Sequence, residues 1–294
     1  MTTRSVGTNR PRGSSLVVVG ILMLSLSAAA EEAAPRGPKR VLDESLGFSV
    51  NKLGLQHVLD LRWIRPLTAS RNPLLADAHV SAGLSHVITP SYTRLGAWVE
   101  VAPLSIFEIR AGAEPGVYFG TFGSLMSFGS YADPFDDNAR DARKAEARWG
   151  TGTRLYLSPT LKMKLGPLVA ASSADLEWWR SNADGPLYYE PARDTLLKVG
   201  GDRVLNTSSA LLRQHDLGDK GKLSYGLGHY LTYVFDAPAN RSQRIGVIVV
   251  RQFGPRRFGL HAPRIGSQVS YYLSDPSRKG QLTASLGMSI GLAR

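Results

Sequence analysis

The chain has no cysteine among its 294 residues. Disulfide bonds, thiolate metal sites and a lipid-modified cysteine anchor are therefore excluded. After residue 30 the sequence also lacks any run of about 20 apolar residues, the length that a transmembrane helix requires. Hydrophobic residues still make up 43% of the chain. They are dispersed rather than clustered, which is typical of a chain whose apolar and polar residues alternate.

Acidic residues are scarce beside basic ones, 24 against 35, and the formal net charge is +11. Arg4, Arg10 and Arg12 all precede the first acid, Glu31. A basic protein can bind nucleic acid or anionic lipid head groups. Because the chain has no clustered basic helix and no nucleic-acid motif, we expect no nucleic-acid partner.

The first 30 residues have the three parts of a secretory signal peptide. A basic segment is followed by an apolar core at 16–27, and Ala28 and Ala30 satisfy the small-x-small rule for cleavage. We predict cleavage between Ala30 and Glu31; an uncleaved anchor is the alternative. Residues 31–44, rich in proline, charge and alanine, are expected to be a flexible periplasmic lead-in.

The clearest pattern is a strict period of two at 281–294. Apolar residues fill every second position there, and small polar residues or glycine fill the gaps. The same alternation recurs at 223–235 and 155–165. Such a period gives a strand one apolar face and one polar face, over about the 9–11 residues that cross a bilayer as a tilted strand.

Charged residues on the polar faces predict a lumen. Gly166-Pro167 is expected to turn the chain between two strands, which places Glu177 opposite Tyr156 and diagonal to Arg154, within reach of an ion pair. A catalytic role for such carboxylates is the less favoured alternative. The candidate lumenal charges are Arg154, Lys162, Lys164, Asp175 and Glu177.

Ten strands are predicted, with eight or twelve as alternatives. The phase of the alternation shifts near Pro90-Ser91, so 76–101 is either one long bulged strand, which we favour, or two strands with a turn. The predicted strands are 48–64, 76–101, 105–123, 147–165, 168–180, 203–214, 222–235, 243–253, 262–274 and 281–292.

Two long polar segments, 124–146 and 182–204, are predicted to be surface loops. The first holds Asp133, Asp136, Asp137 and Asp141, which offer oxygen ligands for calcium but lack the spacing of a known calcium loop. In the second, Tyr188 and Tyr189 are expected to pack at the membrane interface, with a ligand-binding lip as the alternative.

Together, the signal peptide, the amphipathic strands, the short turns and the terminal strand resemble a Gram-negative outer-membrane β-barrel. The resemblance covers residues 45–294 and is closer to barrels of predatory or social, myxobacterial bacteria than to any named porin. It implies an all-β, antiparallel, up-and-down transmembrane barrel in the outer membrane. Its implied partners are outer-membrane lipid, lipopolysaccharide and the barrel assembly machinery, and the implied state is a monomer.

A barrel of about ten strands has an interior that side chains can fill, whereas open porins need roughly 16–18 strands. We therefore expect a non-enzymatic barrel with a narrow or filled lumen, serving envelope structure, surface binding or restricted solute passage. No catalytic, metal or cofactor residue is assigned. The alternative is an outer-membrane enzyme acting on lipid or peptide, with His79 and Ser81 or Ser85 as the pair to test. A soluble periplasmic sandwich or lipocalin-like binder is disfavoured, because large apolar side chains would face water.

Overall fold

The computed structural model describes residues 38–51, 54–254 and 261–293. Within these ranges the chain forms β-strands, one short α-helix and two single 3-10 turns, at 144–146 and 218–220. None of these helical segments is long and apolar enough to cross a membrane. The elements are β1 (Lys39–Val50), β2 (Gly54–Pro66), β3 (His79–Ile88), β4 (Tyr92–Leu104), β5 (Phe107–Phe119), β6 (Ser127–Phe128), α1 (Asp137–Ala142), β7 (Trp149–Leu165), β8 (Leu168–Ser181), β9 (Leu187–Glu190), β10 (Thr195–Lys198), β11 (Asp202–Asp216), β12 (Lys222–Val234), β13 (Ala237–Gln252), β14 (His261–Ser274) and β15 (Leu282–Ala293).

Twelve of the strands form one closed antiparallel barrel in the order β1-β15-β14-β13-β12-β11-β8-β7-β5-β4-β3-β2. Each barrel strand pairs with the barrel strand that follows it along the chain, so the topology is up-and-down. The ring closes where β15 pairs with β1, from Val41 opposite Ala293 to Val50 opposite Ala284. The prediction of an all-β antiparallel barrel with the C-terminal strand closing it is confirmed.

The predicted count of ten strands is wrong, because two predicted strands are hairpins. The predicted strand 48–64 spans parts of β1 and β2, which turn at Asn51, a residue in the left-handed region with φ 53°. The predicted strand 76–101 covers β3 and part of β4. Their turn is stabilised by Thr89, whose hydroxyl accepts the N–H groups of Ser91 and Tyr92 at 3.1 and 3.0 Å. The phase shift near Pro90-Ser91 marked this turn rather than a bulge.

The predicted lead-in also ends earlier than expected. Residues 39–44 belong to β1, where they pair with both β2 and β15. The prediction of a flexible lead-in at 31–44 is therefore wrong for residues 39–44. The signal peptide at 1–30 and the cleavage site at Ala30 and Glu31 lie outside the described residues.

The two faces of the barrel strands differ as the alternation predicts. In β4 the outward Leu95, Val99 and Val101 are exposed, while the inward Arg94 and Glu100 are buried. The polar side of each strand thus faces the lumen and the apolar side forms the exterior.

The two ends of the barrel are also different. One end, which we call the turn end, holds the start of β1, the end of β15 and compact turns such as Gly166-Pro167. Gly166 has φ +56°, a left-handed conformation that glycine adopts without a steric cost. The other end, which we call the loop end, holds the long segments 120–148 and 182–201. These two segments together are called the plug below.

Candidate functional site: the lumen and its plug

The plug contains a second, small sheet in the order β10-β9-β6. Thr195 to Lys198 of β10 pair with β9, and Ser127 and Phe128 of β6 pair with its other edge. The N–H of Tyr189 donates to the carbonyl of Met126 at 3.0 Å and extends this contact. The two loop segments are therefore joined into one structure across about 60 residues of chain.

The plug packs against the inner wall of the barrel. Leu125, Tyr188 and Leu197 of the plug share a buried apolar cluster with inward-facing wall residues. Those wall residues come from the six strands β3, β4, β5, β8, β11 and β12: Val87, Tyr92, Tyr118, Trp179, Val204 and Val234. Because these wall side chains face the lumen, the plug lies inside the mouth of the barrel at the loop end.

The prediction of two surface loops is therefore wrong for the residues that form this sheet. Tyr188 and Tyr189 are fully buried in the plug rather than placed at the membrane interface. Their strand reads LYYE, four residues that are all buried, and its partner β10 reads TLLK. Short apolar and aromatic runs inside a polar segment were the available signal that the segment has a core of its own.

Glu177 on β8 is the main ionic contact between wall and plug. Its carboxylate accepts from Arg154 Nη2 of the wall at 2.6 Å and from Trp179 Nε1 at 2.8 Å. Arg193 of the plug donates through Nε at 2.8 Å. Glu177 is fully buried, so these donors replace the water that it loses.

A second ionic contact joins the plug to the loop between β14 and β15. Asp194 of the plug binds Arg278 of that loop, and it accepts a hydrogen bond from the Tyr189 hydroxyl. Arg140 of α1 lies 3.7 Å from the same carboxylate. On the side of the ring opposite the β14–β15 loop, the hydroxyl of wall residue Tyr118 donates to Glu190 of the plug. The plug is therefore held from at least two sides of the lumen.

Burial changes the ionisation of the plug groups. Burial raises the pKa of the Tyr188 and Tyr189 phenols well above the ordinary value, which keeps both hydroxyls protonated. It also raises the pKa of the Glu190 carboxyl, although the nearby Arg94 acts in the opposite direction. For Arg278, burial disfavours the charge, but Asp194 and Asp137 outweigh it and raise the pKa.

Below the plug, a further ionic network lies on the wall near the turn end. Glu100 accepts from Arg110 Nη2 at 2.7 Å, and Arg110 also lies 3.6 Å from Asp60. His79 Nε2 and Ser81 Oγ each contact Glu100 Oε1 at 3.2 Å. In a nucleophilic triad the histidine lies between the hydroxyl and the acid. Here the acid lies between them, so His79 is not placed to activate Ser81.

The five predicted lumenal charges all lie on inward faces. Arg154 and Glu177 form the ion pair expected from the pairing of Tyr156 with Glu177. Asp175 accepts from Ser158 at 2.6 Å. Lys162 binds Glu108 at 2.7 Å, and Lys164 donates to Gln214 at 2.9 Å. The residues that the sequence did not single out are Glu100, Glu114, Arg94, Arg110 and the plug residues Glu190, Arg193 and Asp194.

The acidic side chains weighed as calcium ligands have other partners. Asp133 accepts the N–H groups of Gly129 and Ser130, and Asp136 caps α1 by accepting from Ala139 at 3.0 Å. Asp137 binds Arg140 and Arg278. Among the described residues, no group of three or more histidine or acidic side chains is arranged to hold a metal ion.

Fold and site together define a class of protein: a closed twelve-stranded antiparallel barrel whose loop end contains an inward-folded plug. No protein-family model and no curated protein sequence matches the chain. Similar solved structures include the translocator domain of the autotransporter NalP from Neisseria meningitidis, with a TM-score of 0.42 and 12% identity over 87% of this chain and 88% of that one. The β-domain of the Bordetella autotransporter BrkA has a TM-score of 0.41 and 13% identity, over 86% and 98%.

LpxR from Salmonella typhimurium has a TM-score of 0.41 and 10% identity, over 86% of this chain and 99% of that one. At this level of identity and structural similarity, none of these proteins assigns an activity to the chain. The resemblance to myxobacterial barrels stays a prediction.

Proposed function

We propose that the chain is an outer-membrane barrel that restricts solute passage by means of its plug. The exterior supports the membrane location. Large apolar side chains on the outward faces of the barrel strands are exposed, for example Leu95, Leu161, Leu227, Val269 and Leu286. Monomeric soluble proteins rarely expose contiguous apolar patches of more than a few hundred Å². Lipid acyl chains provide the apolar surroundings that a continuous belt of such residues requires.

The aromatic residues support the same location. Outward-facing Trp149, Trp178 and Tyr271 lie toward the loop end, and Trp63 and Tyr225 toward the turn end. Aromatic side chains at both edges of an apolar belt are typical of barrels in the outer membrane, where the rings lie at the level of the head groups. Outer-membrane lipid and lipopolysaccharide are the proposed contacts of this belt, and the assembly machinery is the proposed partner during insertion.

The plug is the observation that carries the proposed function. It fills the mouth of the lumen with a packed core, contacts the wall through the buried pair Arg193–Glu177, and contacts the β14–β15 loop through the buried pair Asp194–Arg278. A diffusion pore needs a continuous aqueous path, which this packing does not favour. The plug is built from two segments that connect barrel strands. Weakening its ionic contacts therefore opens an aqueous path through the lumen without unfolding the barrel.

An enzyme acting on lipid or peptide is the alternative, and it stays a prediction. The pair to test is His79 with Ser81 or Ser85. His79 and Ser81 both bind the shared Glu100 and lie in the lumen toward the turn end. The contacts of His79 and Ser81 do not form a nucleophile and base, whereas the packed plug supports restricted passage.

Single-channel conductance in a planar bilayer tests the proposal. The double variant R193Q/D194N removes one positive and one negative charge and weakens both buried plug contacts. We expect long or frequent openings in this variant and a closed wild type. The matched control is K198Q/D236N, which removes the exposed pair between Lys198 of the plug and Asp236 of the β12–β13 turn. Equal conductance in all three proteins contradicts the proposal.

A further inference from the structure

The charges in the lumen are divided unequally around the ring. The four adjacent strands β12 to β15 contain no aspartate or glutamate. Their inward faces carry Lys222, Arg244 and Arg264, as the pairing of Lys222 with Gln252 and of Gln252 with Arg264 indicates. On the opposite side, strands β2 to β8 carry inward acids that pair with the inward basic residues.

The part of the barrel formed by β12 to β15 is called the acid-free wall below. Its two inward arginines, Arg244 and Arg264, differ from the arginines on the opposite side in their partners. Among the described residues, neither Arg244 nor Arg264 makes an ion pair; Arg244 instead lies over the ring of Tyr230, 4.8 Å from its centre. The carboxylate with an electrostatic effect on Arg264 is that of Asp43, and it already forms an ion pair with Arg62 at 3.3 Å. Within the part of the chain that the structure describes, both guanidinium groups therefore have N–H donors without a hydrogen-bond partner.

Several polar side chains lie near these arginines, beside an apolar cluster that includes Ile248, Tyr230 and Val250. The Tyr230 hydroxyl donates to Gln268 Oε1 at 2.7 Å, and the inward Ser285 and Ser289 of β15 are half-buried. By contrast, the other wall is filled by buried aromatic and charged side chains such as Trp98, Tyr156, Glu114 and Arg154. On the wall formed by β12 to β15, Arg244 and Arg264 are only half-buried, so their guanidinium groups stay partly accessible from the lumen.

The positions of the arginines suggest successive contacts along one path. Arg244 pairs with Tyr272, whose buried side chain lies near the plug contact of Arg278, so Arg244 lies just below the plug. Arg264 lies near the start of β14, toward the turn end. Guanidinium groups bind carboxylate and phosphate with paired N–H donors, and basic side chains that line a pore select anions.

We propose that the wall formed by β12 to β15 is an anion path, which binds small solutes that carry carboxylate, sulfate or phosphate groups. The proposal rests on the proposed function, because it names the class of solute that the plug admits. The paired charges of the opposite wall offer no competing site for a cation. Release of the plug then gives a pore in which anions are favoured.

Reversal potentials across a potassium chloride gradient test this selectivity in the R193Q/D194N background. We expect chloride to be preferred over potassium. Adding R244Q, R264Q or both shifts the reversal potential toward the cation side, with the largest shift in the combined variant. The matched control is R251Q, which removes one charge from the same strand as Arg244 but on an outward face, where Arg251 donates to the carbonyl of Lys220. We expect R251Q to leave the reversal potential unchanged.

The outcomes separate the two proposals. If R193Q/D194N conducts without a preference for chloride, or with a preference that R244Q and R264Q do not reduce, the anion path is wrong and the plug proposal stands. If R193Q/D194N does not conduct, the plug proposal fails. Calorimetric titration of the wild type with citrate then tests the anion site alone: binding that R244Q/R264Q abolishes supports it, and equal or absent binding in both proteins overturns it.

Discussion

At the scale of the residue, the wall-to-plug contacts are concentrated on a few buried carboxylates. Glu177 accepts from two wall residues and one plug residue. The half of this site that lies on the wall could be predicted, because strand pairing across Gly166-Pro167 fixes the positions of Arg154 and Glu177. Arg193 could not, since nothing in local sequence indicates that a residue in a long connecting segment returns to the lumen.

We predict that E177Q lowers the stability of the barrel. The substitution leaves Arg154 and Arg193 buried without their shared negative charge, and loss of one partner of a buried ion pair costs about 3 kcal/mol. The measurement is the temperature at which the folded band disappears on gels run without boiling. The control D236N removes a carboxylate of an exposed pair with Lys198 and is expected to unfold as the wild type does. Identical unfolding of E177Q and D236N would show that Glu177 is not a structural contact.

At the scale of the element, strands with a strict alternation were predictable, whereas the β1–β2 and β3–β4 turns were not. β7, β8, β12 and β15 agree with their predicted spans to within two residues. The hairpin between β3 and β4 was missed because the phase shift at Pro90-Ser91 fits a bulge as well as a turn, and the hydrogen bonds to Thr89 that form the turn leave no sequence pattern. The plug was missed because its strands have only two to four residues, too few for a period to appear.

The plug is predicted to open as a unit when its buried contacts are weakened. In the wild type, Tyr188, Tyr189, Leu196 and Leu197 are fully buried and should resist chymotrypsin. In R193Q/D194N we expect cleavage within 187–198 while the barrel remains folded. Fragment masses after a short digestion provide the measurement, and K198Q/D236N is the control. Rapid cleavage of the wild type at these residues would mean that the plug core is not packed.

At the scale of the whole molecule, the barrel has an apolar exterior and a polar, partly filled interior. The alternation of residues along each strand predicted both surfaces. The sequence alone could not show which lumenal charges are neutralised, because this depends on which strands face each other across the ring. The contrast between the paired wall and the acid-free wall therefore emerges only in the closed barrel.

The five tryptophans offer a test of the exterior. Trp63, Trp149 and Trp178 face outward and are 41%, 66% and 40% exposed, whereas the inward Trp98 and Trp179 are 3% and 0% exposed. In vesicles of lipids with brominated acyl chains, we expect fluorescence quenching that the triple variant W63F/W149F/W178F largely abolishes. The variant W98F/W179F should retain it. Quenching that depends on the inward pair would contradict a lipid-facing exterior.

The central claim is that the plug closes the lumen at the loop end, and the absence of cysteine allows a direct test. S285C places a single thiol on the inward face of β15, and G200C places one on the exposed surface of the plug. The expected periplasmic lead-in joins β1 at the turn end, so we expect the loop end to face the cell exterior. Intact cells are treated with a bulky, membrane-impermeant maleimide, and labelling of each variant is measured over time. We predict rapid labelling of G200C, none of S285C, and labelling of S285C once R193Q/D194N is added. Labelling of S285C as fast as G200C with the native plug in place would contradict the account.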